Sequence, residues 1–293
     1  MKNVRTLFAS LFIVLLLISG IMLMPEDLNA EEGTIKLGYV NWAGTIAETY
    51  VAQEVLEEKM GYDVEMTMVG VGPVYTALAE GDIDAFMGVW LPITHENYVE
   101  EYGQEIIKTG PNYVGAKIGL VVPEYVDIDS IEELNEHRDK FEGVITGIEP
   151  GAGVMEATHD AIDDYELDFD LMTSSGPAMT ASLESAIENE EWIVVTGWQP
   201  HYKFAEFDLK FIEDPENVYG EAEGVYTFHN PDLAQRHPEV VSFFHDFRMT
   251  FEELGEVMAW IADGEDEADA AARWVSENTE KVESWIDPVM ISE

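Results

Sequence analysis

The chain has 293 residues, no cysteine, 60 acidic against 14 basic side chains, and a formal net charge of −46 at pH 7. A charge of that sign and size repels phosphates and anionic lipid, which excludes nucleic-acid binding and adhesion to an acidic membrane face. The missing cysteines exclude a disulfide framework, a thiolate metal site, a thiol nucleophile and a lipid-bearing cysteine behind a leader.

The chain opens on Met1-Lys2-Asn3-Val4-Arg5, continues through an apolar stretch from Leu7 to Met24, and reaches Leu28-Asn29-Ala30. A basic start, an apolar run and a small residue make residues 1–30 a secretory signal, with cleavage expected after Ala30. The apolar stretch of 18 residues is also near the lower limit for a membrane span, so an uncleaved N-terminal anchor is the other expectation. About 263 residues follow, enough for one large domain or two lobes. Residues 1–30 hold two basic and two acidic side chains, so the remainder keeps the charge of −46. Self-repulsion of that size destabilises a compact state at low salt. It points to export from a halophile into concentrated salt, where counterions screen the surface.

Ile35–Val40 reads as a short buried strand, and Ala43-Gly44-Thr45 as a turn. Ile46, Tyr50, Val51, Val55, Leu56 and Met60 recur at helical spacing, and Gly61 ends that helix. Tyr62–Val69 alternates as a half-solvated strand, Gly70–Pro73 is a loop, Val74–Glu80 a short helix, and Asp82–Val89 a second buried strand. This β-α-β-α-β order implies parallel pairing with right-handed crossovers. A short helix is expected within Leu91–Glu105 and a strand over Tyr113–Pro123. Ser130 and Glu133 form a capping-box pattern at a helix start. Val144–Ile148 is a buried strand, and Glu149-Pro150-Gly151-Ala152-Gly153 a tight turn opening onto a helix over Val154–Tyr165. Further strands are expected over Met172–Ser174, Trp192–Thr196 and Leu209–Ile212, with a helix over Met179–Asn189 and a turn at Asp214–Asn217. From about Asn230 the pattern is helical: Pro238–Phe247, Phe251–Ala262, Glu267–Asn278 and a last turn near Val282–Ile286. Trp260, Trp274 and Trp285 lie at helical spacing there and read as core. The fold class is α/β with two lobes: residues 31–116 plus 213–293 form the first, and 117–212 an inserted second.

Three other tryptophans follow apolar runs: Trp42, Trp90 and Trp198. Ligands of open α/β sheets bind at the carboxyl ends of strands, so three π-faces are expected at one crevice. One tryptophan in such a place is ordinary packing. Three, two of them followed by Pro and a nearby His, suit a quaternary ammonium ion held by cation–π attraction. A carboxylate on the same ligand needs donors. The N–H groups of Gly153 and Val154, where a glycine turn opens a helix, provide an anion site. Most such turns only connect a strand to a helix. His95, five residues after Trp90, is a further donor; His201, three after Trp198, is a weaker candidate. No Gly-x-Ser-x-Gly elbow, His-Glu-x-x-His pair, metal set or cofactor motif is present, so catalysis has little support.

Four stretches together resemble the glycine betaine substrate-binding proteins of osmoprotectant ABC transporters. They are Gly38-Tyr39-Val40-Asn41-Trp42, Trp90-Leu91-Pro92-Ile93-Thr94-His95, Gly147-Ile148-Glu149-Pro150-Gly151-Ala152-Gly153 and Val194-Val195-Thr196-Gly197-Trp198-Gln199-Pro200-His201. The resemblance runs from about Ile35 to Ile286. It implies the two-lobed periplasmic binding protein fold, type II-like, with the ligand in the inter-lobe cleft. It implies that Trp42, Trp90 and Trp198 box a trimethylammonium group, and that His95 with the amides of Gly153 and Val154 holds the carboxylate. It also implies a betaine ligand, a membrane permease and ATPase as partners, a monomer without cofactor, and a place in the periplasm or on the outer face of the cytoplasmic membrane. Carnitine, choline, proline betaine and ectoine remain alternative ligands. Two other classes stay open: a secreted enzyme acting on methylated amines, and an anchored sensor.

Overall fold

The computed structural model describes residues 33–286. The expected signal or anchor over 1–30 lies outside the described residues.

Strand β1 (Thr34–Tyr39) pairs in parallel with β2 (Asp63–Met68) and β3 (Ala85–Leu91). Helices α1 (Ala43–Glu58) and α2 (Val71–Glu80) make the crossovers, as the β-α-β-α-β order predicts. Gly61 and Gly81 carry φ of 78°, the left-handed conformation that ends each helix cheaply only as glycine. Helix α2 starts earlier than expected because Gly72 and Pro73 sit in its first turn, where a missing N–H costs nothing. Helix α3 (Glu96–Tyr102) follows the Trp90 segment.

Strand β4 (Ile107–Pro123) is longer than the sequence suggests. Gly110, Pro111 and Gly115 hide its first half, and they coincide with register shifts in its ladder. A 3-10 helix over Ile131–Phe141 follows, with the Ser130–Glu133 capping box formed. Then come β5 (Val144–Thr146), α4 (Gly153–Asp164), β6 (Asp170–Met172), α5 (Gly176–Glu188), β7 (Val195–Gln199), α6 (Lys203–Glu206) and β8 (Leu209–Phe211). The next strand, β9 (Glu223–His229), is not legible in the sequence. Nearly all of its residues are buried, so it shows no alternation, and it lies between β3 and β4.

The strand order is β2-β1-β3-β9-β4-β7-β5-β6, with β8 on β4. Strand β4 changes partner along its length. It pairs with β9 up to Ala116, with β7 from Lys117 to Val121, and with β8 beyond. The chain ends in α7 (Leu233–Arg236), α8 (Pro238–Asp246), α9 (Phe251–Ala262), α10 (Glu267–Glu277) and α11 (Thr279–Ile286). Helices α9 and α10 pack on α1, and α8 on β4 and β9. Trp274 and Trp285 are buried there and stack at 5.8 Å, as core residues do.

Candidate ligand-binding site

Trp42 caps the start of α1, Trp90 is the penultimate residue of β3, and Trp198 lies within β7. The last two are strand residues, where the sequence placed them just beyond strand ends. In both cases the ladder to β9 or β4 extends the strand past its apolar run. All three are nearly buried, at 7%, 5% and 5% exposure. They line one cavity with an empty volume of about 300 Å³. His95, Gly153 and Val154 line it too, so the six residues singled out by sequence come together. Thr94, Ile118, Ile148 and Ala152 complete the wall, which includes no Asp, Glu, Lys or Arg. A charge-free aromatic wall of this kind favours a cation whose charge is spread over methyl groups.

His95 is fully buried, and its ring lies 5.8 Å from that of Trp42 at 30°. The backbone N–H of Trp90 donates to His95 Nδ1 at 3.1 Å, and the Tyr75 hydroxyl lies 3.1 Å from the same nitrogen. A backbone N–H can only donate, so Nδ1 carries the lone pair and the neutral ring holds its proton on Nε2. Burial pushes the His95 pKa down to about 3, which keeps the ring neutral at ordinary pH. Nε2 is buried with no partner among the described residues. An unsatisfied buried donor costs about 1–3 kcal/mol, so an acceptor in this cavity is favoured.

The second set of donors is the start of α4. Its cap residue, Ala152, gives no side-chain hydrogen bond to the free amides. The carbonyl of Ala152 takes the N–H of Met155, but the N–H groups of Gly153 and Val154 have no acceptor among the described residues. They lie at the positive end of a 12-residue helix. A Cβ on Gly153 would fall 2.0 Å from the Thr94 carbonyl oxygen, so only glycine lets this helix approach the His95 turn so closely.

That turn is fixed from β9. The buried Glu223 carboxylate accepts from the N–H groups of Ile93 at 2.7 Å and Thr94 at 2.9 Å, and from the Thr94 hydroxyl. Sequence reasoning missed Glu223, because 130 residues separate it from Ile93 and β9 itself was not visible. It also missed Lys203, whose buried ammonium sits 4.5 Å over the Trp198 ring without a hydrogen-bond partner among the described residues. Burial lowers the Lys203 pKa to about 7. His201 does not line the cavity. It packs edge-on against Trp198 at 4.9 Å, accepts the Lys203 N–H on Nδ1, and faces a second cavity beyond the ring. Among the described residues no His, Cys, Asp and Glu group is placed to hold a metal ion.

The family model described as the substrate binding domain of ABC-type glycine betaine transport system matches residues 33–277. The glycine betaine/carnitine transport binding protein GbuC of Listeria monocytogenes serotype 1/2a is 47% identical over 148 residues, 50% of this chain. That match spans about half of the relative's length, 49%. Lactococcal OpuAC, solved in its closed-liganded conformation with glycine betaine, aligns with a TM-score of 0.83 at 34% identity, over 87% of this chain and 100% of that one. An ABC-transporter choline binding protein in complex with choline aligns at 0.80 with 29% identity, over 86% and 91%. The fold is thus the α/β, two-lobed fold of substrate-binding proteins.

Proposed function

Because the chain belongs to the family of substrate binding domains of ABC-type glycine betaine transport systems, we propose that it captures glycine betaine, or a related quaternary ammonium compatible solute, outside the cytoplasm. It then delivers the solute to a permease–ATPase importer for osmoprotection. The observation that carries this reading is one charge-free cavity with three indoles and, in the same wall, an unpartnered His95 Nε2–H. The indoles take the trimethylammonium group, at roughly 2 kcal/mol for each good contact in a dry site. His95 Nε2–H and the amides of Gly153 and Val154 take the carboxylate.

We place the lobe boundaries at 116/117 and 212/213. The change of partner within β4 supports the first, and the pairing of β8 with the second half of β4 supports the second. The ligand then bridges the lobes, since neither lobe alone satisfies both of its ends, and closure follows from binding. The protein is read as a receptor and not an enzyme. His95 is the one titratable side chain in the wall, and a pKa of about 3 makes it a poor general base. It is read as a monomer. Among the described residues no helix is long and apolar enough to cross a membrane.

Calorimetric titration with glycine betaine, choline and ectoine in high salt tests the proposal. Tight betaine binding with choline silent supports both halves of the site. Choline binding as tight as betaine binding removes the carboxylate clamp, and silence for all three removes the cage. Trp90→Ala should weaken betaine binding about tenfold or more; unchanged affinity would sink the role given to Trp90.

A further inference from the structure

Glu149 ends the segment after β5 and precedes the glycine turn that opens α4. Its Oε1 accepts the indole N–H of Trp42, which follows β1 in the first half of the sheet. Its Oε2 is buried with no partner among the described residues. Glu149 does not line the cavity, whereas Trp42 does. The carboxylate therefore meets the rim of the ring and not the ligand.

The indole N–H lies at the electropositive edge of the ring. Sharing that proton with a carboxylate returns electron density to the π-system. It also sets negative charge behind the face that receives a cation. Both effects strengthen cation–π attraction, and the buried surroundings screen them little. We propose that Glu149 is a positioning residue of the aromatic cage, which orients Trp42 and tunes its ring toward cations through the indole N–H without touching the ligand. This rests on the reading of Trp42, Trp90 and Trp198 as a quaternary-ammonium cage.

The same hydrogen bond also joins the two halves of the fold, as does the Tyr98 hydroxyl, which donates to the Gly151 carbonyl at 2.9 Å. A latch of that kind acts equally on any ligand that closes the site. Tuning acts only on a cation. The two are separated by glycine betaine and its neutral-headed isostere 3,3-dimethylbutanoate, in which carbon replaces the ammonium nitrogen and the carboxylate is kept.

The test is titration of the wild type, Glu149→Gln and Tyr98→Phe with both compounds. Glu149→Gln keeps an acceptor oxygen for the indole and removes the charge. It should cut the preference for betaine over the isostere about fivefold, with the loss falling on betaine. Tyr98→Phe should weaken both ligands alike and leave the preference intact. The indole nitrogen resonance of Trp42 should move upfield in Glu149→Gln, a readout that needs no ligand. Equal loss of both ligands in Glu149→Gln, or no loss of either, overturns the proposal. A wild type that does not prefer betaine to the isostere overturns the cage reading itself, so the two failures are distinguishable.

Discussion

With Nδ1 occupied by the Trp90 N–H, the His95 ring offers the cavity a single donor. His95→Ala should cost betaine about tenfold or more in affinity and leave choline, which has no carboxylate, almost untouched. The His95 ring should add no step to betaine affinity from pH 5 to 8, because a pKa of about 3 keeps it neutral there. Lys203 behind Trp198 does titrate in that window, at about 7. The flat profile is therefore expected in Lys203→Met, and a step near pH 6.5 in that variant would contradict the buried neutral ring. The folded His95 value lies below the ordinary 6.5, so the unfolded chain takes up a proton first as pH falls. The His95 contribution is present above pH 6.5 and is lost between 6.5 and about 3. Lys203 shows the same direction in a higher window, with a folded value of about 7 against the ordinary 10.5. Its burial penalty is full below pH 7 and fades as pH climbs to 10.5. Lys203→Met should therefore stabilise the fold at pH 7, and the gap in melting temperature over the wild type should shrink toward pH 10. The sequence offered His201 as a weaker candidate beside Trp198 and left Lys203 unremarked. Which of them faced the ligand depended on the path of the turn, and both lie behind the ring.

Two elements meet at Gly153: the first turn of α4 and the Thr94 segment that carries His95. A methyl group there would lie 2.0 Å from the Thr94 carbonyl oxygen and 2.5 Å from Thr94 Cγ2. Alanine is the better helix former, so α4 itself should survive Gly153→Ala. The expected result is a betaine affinity lower by about tenfold or more, with a lower ligand-free melting temperature as well, because overpacking against backbone costs about 1–3 kcal/mol. Full affinity would mean that the helix and the turn can part without harm to the site. The glycine was legible as a turn residue, but the need for close approach was not, because Thr94 reaches it from a different part of the chain. Strand β4 gives the complementary lesson. Its Gly110 and Pro111 look like breakers, yet β9 and its bulges carry the strand through them.

At the scale of the whole molecule the dominant quantity is the net charge of −46. Surface pairs such as Arg138–Asp168 and Lys210–Asp129, each at 2.9 Å, are worth little singly, and 14 basic side chains cannot neutralise 60 acidic ones. Screening must come from solution ions, whose Debye length falls from about 10 Å at 0.1 M to about 3 Å at 1 M. The melting temperature should rise steadily with added potassium or sodium chloride, and a melting point indifferent to salt would count against this account. The binding site should respond far less, because its wall holds no charged side chain.

The sequence by itself determined the alternation of strands and helices apart from β9 and the first half of β4, the glycine and capping-box ends of helices, and the identity of six residues that line one cavity. Those are local signals: hydrophobic period, turn chemistry and short motifs are written in consecutive residues. Only the tertiary structure decided how the six are held and which of their atoms are free. The Glu223 carboxylate under the His95 turn, the Glu149 carboxylate on the Trp42 indole, and Lys203 behind Trp198 lie outside the cavity wall. The two carboxylate contacts span 130 and 107 residues. The direction of the Lys203 side chain depends on the path of the turn after β7. Burial, which sets the protonation of His95 and Lys203, is a property of the packed whole and of no single stretch.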